Sequence, residues 1–144
     1  MVEQDEWLRP VEGELNRRAA MYRERLQDIE RSSGSIVDYA NGYRYFGWQH
    51  DEVLCGWWFR EWLPEAQDVY LFGDFNGWQR TQLRLDKDHN GVWSIFLPDA
   101  MYADRLTHGS LYKIHVHGAN GWHDRIPAYA TRVVQDEQTK NFTA

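Results

Sequence analysis

Trp78 and Trp122 each follow an Asn-Gly pair, Asn76-Gly77 and Asn120-Gly121. That dipeptide favours tight turns. A large apolar ring beside a turn either folds back as a lid on its own domain or is held out for a ligand. A flat indole suits the apolar face of a sugar ring, and neighbouring polar groups can then fix the hydroxyls. Lys113 can supply such donors. In the stretch 111–117, Tyr112, Ile114 and Val116 alternate with Lys113, His115 and His117. This places the first set in a core and the second on one solvent-facing surface. On the residues alone, both readings of the two tryptophans stay open.

Other chemistries fail on spacing. Asp86-x-Asp88-x-Asn90-Gly91 begins like a calcium loop, but Leu97 stands where a bidentate glutamate is required. Asp74-x-Asn76-Gly77 fails sooner, because Trp78 takes the next ligand position. His115 and His117 share a strand face, with only His123 or Asp124 nearby to complete a metal site, so no metal is expected. There is no G-x-S-x-G elbow, no P-loop and no G-x-G-x-x-G. Cys55, beside Gly56 and Trp57, reads as a packed thiol rather than a nucleophile. Glu61, Asp74 and Asp124 could serve in a carboxylate pair, but nothing in their spacing selects one. No catalytic residue and no cofactor is expected in this chain.

The elements that must carry these residues fit a chain of 144 residues, which suits one domain with an appended element. A (β/α)₈ barrel, at roughly 250 residues, does not fit. The net charge of −6 disfavours nucleic acid. No apolar run approaches the ~18 residues of a membrane span, and the N-terminus is too acidic and polar for a signal peptide. The single cysteine excludes an internal disulfide. Together these features predict a reducing, cytoplasmic setting. The Asn141-Phe142-Thr143 sequon is then a chance match.

Val11, Leu15, Ala19, Tyr22, Leu26 and Ile29 recur at helical spacing. Pro10 suits the start of this helix and Ser32 to Ser35 its end. The expected organisation is a helical extension over 1–35, a connector over 36–52 and a β domain over 53–144. The connector is aromatic but lacks a clean period. Strands are expected near 53–62, 68–73, 82–85, 92–97, 111–117 and 128–134, which together read as an antiparallel sandwich. Trp57, Trp58, Trp62 and Trp93 fall within strands and read as core.

Beyond the periodicity, the wording of the chain resembles a known family. Arg60-Glu61-Trp62-Leu63-Pro64-Glu65-Ala66 and Val69-Tyr70-Leu71-Phe72-Gly73-Asp74-Phe75-Asn76-Gly77-Trp78 are similar to the signature of carbohydrate-binding module family 48. Gly91-Val92-Trp93-x-Ile95-Phe96-Leu97-Pro98 and His108-Gly109-Ser110-x-Tyr112-Lys113-Ile114 continue it. Asp124-Arg125-Ile126-Pro127-Ala128 resembles the version found in 1,4-α-glucan branching enzymes. Trp7-Leu8-x-Pro10, Glu12-Gly13-Glu14-Leu15-x-Arg17-Arg18 and Gly42-Tyr43-x-x-Phe46-Gly47 resemble their helical extension.

The resemblance implies an immunoglobulin-like antiparallel β-sandwich, mostly β, with an N-terminal amphipathic helix. It implies an N-terminal segment preceding a catalytic barrel of glycoside hydrolase family 13, which transfers α-1,4 glucan into α-1,6 branches. Such a segment is not an enzyme by itself. Its implied partners are α-1,4-glucan chains (glycogen and maltooligosaccharides) and the barrel of the parent chain, with no nucleic acid and no membrane. In the relative carried by the AMP-activated kinase β subunit, glycan contacts come from residues that match Trp78, Lys113 and Trp122, and more loosely Asn141. Leu63 and Glu65 depart from the commoner Ala and Gly of the family. The alternatives are a purely structural domain docking on the barrel without glycan, or a free-standing subunit that tethers a partner to glycogen.

Overall fold

The computed structural model describes residues 5–144; the first four residues of the expected helical extension lie outside them. The chain divides into two compact units, one ending at Gly42 and the other Tyr43–Ala144.

The first unit is helical. Asp5 accepts a hydrogen bond from the Trp7 amide at 3.0 Å and opens a 3₁₀ turn, Glu6–Val11. Pro10 lies in this turn, which leads into α1 (Glu12–Ser33). Glu14 holds Arg17 at 2.7 Å and Arg18 at 2.9 Å along the polar side. The Gly34 amide closes the helix by donating to the Glu30 carbonyl. Ser35 then caps α2 (Ile36–Tyr39), accepting from the Asp38 amide.

The second unit is β. Its strands are β1 (Gly47–Asp51), β2 (Gly56–Trp62), β3 (Asp68–Gly73), β4 (Leu83–Arg84), β5 (Asp86–Lys87), β6 (Val92–Pro98), β7 (Tyr112–Gly118), β8 (Gly121–Arg125), β9 (Val134–Gln135) and β10 (Phe142–Thr143). A short helix, α3 (Asp99–Tyr102), follows β6. One sheet has the order β1-β2-β6-β5, a second β4-β3-β7-β8, and β9 and β10 form a hairpin; every pairing is antiparallel. The two larger sheets face one another as a sandwich. Alternate residues Phe59, Trp93 and Leu97 from the first meet Val69, Leu71, Ile114 and Val116 from the second in one core. At the chain end, Ala144 exchanges both backbone hydrogen bonds with Tyr112.

Three details differ from the sequence reading. The aromatic stretch read as a connector carries β1, the edge strand paired with β2. The run Val53-Leu54-Cys55 is the hairpin turn between them, not a strand. Asp51 shapes that turn by accepting from the Val53 and Leu54 amides, and Cys55 is therefore exposed, in left-handed backbone, rather than packed. Finally, the strand beside β7 is β8, whereas most of 128–134 is irregular.

The strand tryptophans also separate. Trp93 is 2% exposed, Trp57 and Trp58 are half-buried, and Trp62 is 57% exposed. Trp58, Arg60 and Trp62 alternate onto the outer face of their sheet, and a run rich in aromatics on both faces hides that alternation.

Glu61 shares the inner face with Trp93, its cross-strand partner, and is only 3% exposed. It accepts a hydrogen bond from the Ala128 amide at 3.1 Å. Burial raises its pKa, against the lowering effect of that bond and one from the Trp62 amide. Burial, followed by the Glu61 charge, pushes the Tyr112 phenol up to about 12. A raised carboxyl favours folding below its unfolded pKa of about 4.3, and that contribution is lost as pH rises through the higher folded value. Glu61→Gln keeps the acceptor and cannot ionise. Chemical denaturation across pH 4–7 should therefore show this decline in wild type and a flatter profile in Glu61→Gln. Parallel profiles would contradict the assignment.

Candidate functional site

The turn after β3 is built to present Trp78. Phe75 is buried and anchors a 3₁₀ turn, Asp74–Asn76. Asn76 is also buried; its Oδ1 accepts from the Gly73 amide at 3.0 Å and its Nδ2 donates to the Gln79 carbonyl at 2.9 Å. Gly77 at φ 63° permits the reversal, and Trp78 follows in the same left-handed region at φ 61°. That conformation is unusual for a bulky residue and persists only where the surroundings enforce it. Here the Trp78 amide donates to the Gly73 carbonyl at 2.9 Å, and its indole Nε1 donates to Asp74 Oδ1 at 2.9 Å. The other Asp74 oxygen accepts from the Leu111 amide at 2.8 Å, which ties this turn to the chain entering β7. The ring stands edge-on to Phe72 at 5.7 Å and remains 37% exposed.

Trp122 is fixed by different means. It lies in β8, opposite His117, while Asp124 lies opposite His115. Its indole stacks flat on both imidazoles, at 4.6 Å and 9° for His115 and 4.7 Å and 17° for His117. With both imidazoles against it, the ring stays 44% exposed. The same sheet face carries Tyr70 beside Trp122, and Lys113 opposite Phe72.

Phe72 points outward yet is buried, because Trp78, His115 and Arg80 cover it. The Arg80 guanidinium sits 5.1 Å from the Phe72 centroid and grips Asp124 with two nitrogens, the shorter bond at 2.8 Å. Asp124 also takes His115 Nδ1 at 2.7 Å. Burial is the largest single influence on the Asp124 carboxyl and acts upward. The hydrogen bonds and charges of Arg80 and His115 together outweigh it and hold the group below its usual range.

The structure therefore brings Trp78, Lys113 and Trp122 onto one face of the β4-β3-β7-β8 sheet. It does not link Asn141 to them through any hydrogen bond. The Asn141 backbone instead bonds to Asp136 and to Thr139 Oγ1 within the terminal hairpin. Sequence reasoning missed Arg80, the bonds by which Asp74 and Asn76 hold the Trp78 turn, and the pairing of Asp124 with His115. The alternation of 113, 115 and 117 was the available signal for this face, but the partner 44 residues away, Arg80 to Asp124, becomes visible only through strand register. Among the described residues, no group of three or more His, Cys, Asp or Glu could hold a metal ion, and no helix is long and apolar enough to cross a membrane.

A second hollow, of about 620 Å³, lies elsewhere in the same unit. Phe46, Trp48, Trp57, Tyr112 and Tyr129 line it, together with the 106–111 loop and Ala144. It shares no lining residue with the Trp78, Arg80 and Trp122 cluster.

Two exposed, immobilised indoles beside a lysine on a sheet face form a surface suited to sugar rings. Residues 46–130 match the family Carbohydrate-binding module 48 (Isoamylase N-terminal domain). The chain belongs to this family. The module is 40% identical over 144 residues to the 1,4-alpha-glucan-branching enzyme of Dictyostelium discoideum, covering 99% of this chain and 21% of that one. It is 38% identical over 126 residues to the 1,4-alpha-glucan-branching enzyme 1, chloroplastic/amyloplastic, of Pisum sativum, covering 87% and 15% respectively. The module thus spans about a fifth or less of the length of these relatives. The pullulanase SAP of Group B Streptococcus, solved in complex with maltotetraose, shares the fold. Its TM-score is 0.50 at 18% identity, over 69% of this chain and 14% of that one.

Proposed function

We propose that the module binds α-1,4-linked glucan across the outer face of the β4-β3-β7-β8 sheet. In this reading Trp78 and Trp122 stack on glucosyl rings and Lys113 donates to hydroxyls. The observation that carries it is the mounting of the two indoles. Both are exposed beside the same sheet face, and both are held by fixed neighbours, Asp74 and Phe72 in one case and two imidazoles in the other. In a longer branching enzyme, as the names of the relatives suggest, such a module would hold a glucan chain near a catalytic barrel while contributing no catalytic group itself.

Two stacking contacts at ~0.5–1.5 kcal/mol each, plus one or two hydrogen bonds of similar size, total a few kcal/mol. A single short chain should then bind with millimolar affinity, near −4 kcal/mol. Repeated sites along a polymer raise the apparent affinity. Calorimetric titration with maltoheptaose, and native gels containing glycogen, test this. Trp78→Ala and Trp122→Ala should each weaken binding about two- to tenfold. A wild type whose mobility is unaffected by glycogen would sink the reading. Tyr129→Ser serves as the control for the second hollow: if it abolishes binding and the tryptophan variants do not, the sugar sits there instead.

A further inference from the structure

The ion pair between the two indoles has more fixed geometry than its setting on the surface requires. Arg80 is bound to Asp124 through Nε and Nη2, and its Cζ lies 5.1 Å over the Phe72 ring. Phe72 in turn touches the edge of Trp78, and Asp124 holds the imidazole on which Trp122 lies. The guanidinium therefore occupies the link between the two rings, held on two sides, with more than half of its side chain exposed. An exposed ion pair of this kind contributes little to stability, ~0–1 kcal/mol. What the bidentate grip and the cation–π contact do supply is orientation, because a planar fork held at two points loses little freedom when it makes a further bond. The third nitrogen, Nη1, is not used in holding Asp124 and carries two N–H donors.

Resting on the glucan reading above, we propose that Arg80 is a further sugar-contacting residue. Its Nη1 donates to hydroxyls of the glucosyl unit that spans the interval between Trp78 and Trp122. Asp124 is the positioning residue that keeps this donor edge turned outward. Neighbouring hydroxyls on a glucosyl ring present oxygen acceptors, and a guanidinium nitrogen with two hydrogens matches them. Lys113, across from Phe72, then supplies a second and more mobile donor on the same strip.

The test is maltoheptaose titration of the wild type, Arg80→Ala, Arg80→Lys, Asp124→Asn and the double variant Arg80→Ala/Asp124→Asn, with thermal unfolding of each. Arg80→Ala should weaken binding about three- to tenfold with little change in melting temperature. Arg80→Lys keeps the charge but not the fork, and should weaken binding by a similar factor. Asp124→Asn should also weaken it, and by a smaller factor in the Arg80→Ala background than in the wild type, because part of its effect runs through Arg80 and the rest through His115. If Arg80→Ala and Arg80→Lys bind like wild type while Trp78→Ala and Trp122→Ala lose affinity, Arg80 is not a contact and the glucan face stands. If the Asp124→Asn loss is as large without Arg80 as with it, the positioning role is overturned. If the wild type binds no maltoheptaose, the underlying reading falls first.

Discussion

Replacing Trp93 by alanine should cost about 3–5 kcal/mol of folding free energy. The ring is buried in the middle of β6 and packs in the core with Phe59 and Leu97 from its own sheet and Val69, Leu71 and Ile114 from the other. Its Nε1 donates to the Leu63 carbonyl at 3.0 Å, so truncation leaves that carbonyl without its partner as well as a cavity. The ring also lies 5.5 Å from the Lys87 ammonium, which bonds to the Pro64 and Ala66 carbonyls and staples the β2–β3 connection. A chain of this size should lose roughly 10–20 °C in melting temperature. Thermal and urea unfolding followed by circular dichroism would measure this. A loss below 1 kcal/mol would show that the two sheets do not close on Trp93.

Gly73→Ala should damage stability and the Trp78 mount, and with it the proposed sugar binding, together. A Cβ at Gly73 would stand 2.2 Å from the Leu111 carbonyl oxygen and 2.9 Å from Tyr112 Cα. Both are backbone atoms of the chain paired with β3, so no side-chain rotation relieves the clash. The strands must part where they carry the Trp78 turn, since the Gly73 amide bonds Asn76 and its carbonyl holds the Trp78 amide. The expected cost is about 1–3 kcal/mol or more. Maltoheptaose binding should fall at least as far as in Trp78→Ala, because the ring loses its mount. Gly77→Ala is the contrast, since its Cβ meets nothing within 4 Å and only the φ of +63° opposes it. Its effect should be smaller, set by backbone strain alone. Wild-type stability in Gly73→Ala would refute the close-approach account.

The β-rich sandwich, and the seating of Trp78 and Trp122 just after turns, were legible because both rest on local signals; the residues alone leave open whether the two rings lie exposed. Alternation over 112–117 reports one face of one strand, and Asn-Gly pairs report turns. Features set by pairing between distant segments were not legible. β1 shows no period of its own, since Gly47–Asp51 is defined by its register with β2. Trp62 looks like core in a run of aromatics until the register turns it outward. Trp122 reads from the sequence as a ring beside a turn; the structure lays it along β8, and only strand pairing sets two imidazoles against it. The Arg80–Asp124 link depends on three successive strands lying in the order β3-β7-β8.

The mounting of the two indoles has a kinetic consequence. If sugar binds there as proposed, side chains already held by Asp74, Phe72, His115 and His117 need no ordering step on its arrival. At an association rate of ~10⁶ M⁻¹s⁻¹, a millimolar site keeps its ligand for only about a millisecond. A module with so short a dwell time does not clamp a polymer. On the proposed glucan reading it would sample successive stretches of polymer, releasing each quickly enough for the next to be presented.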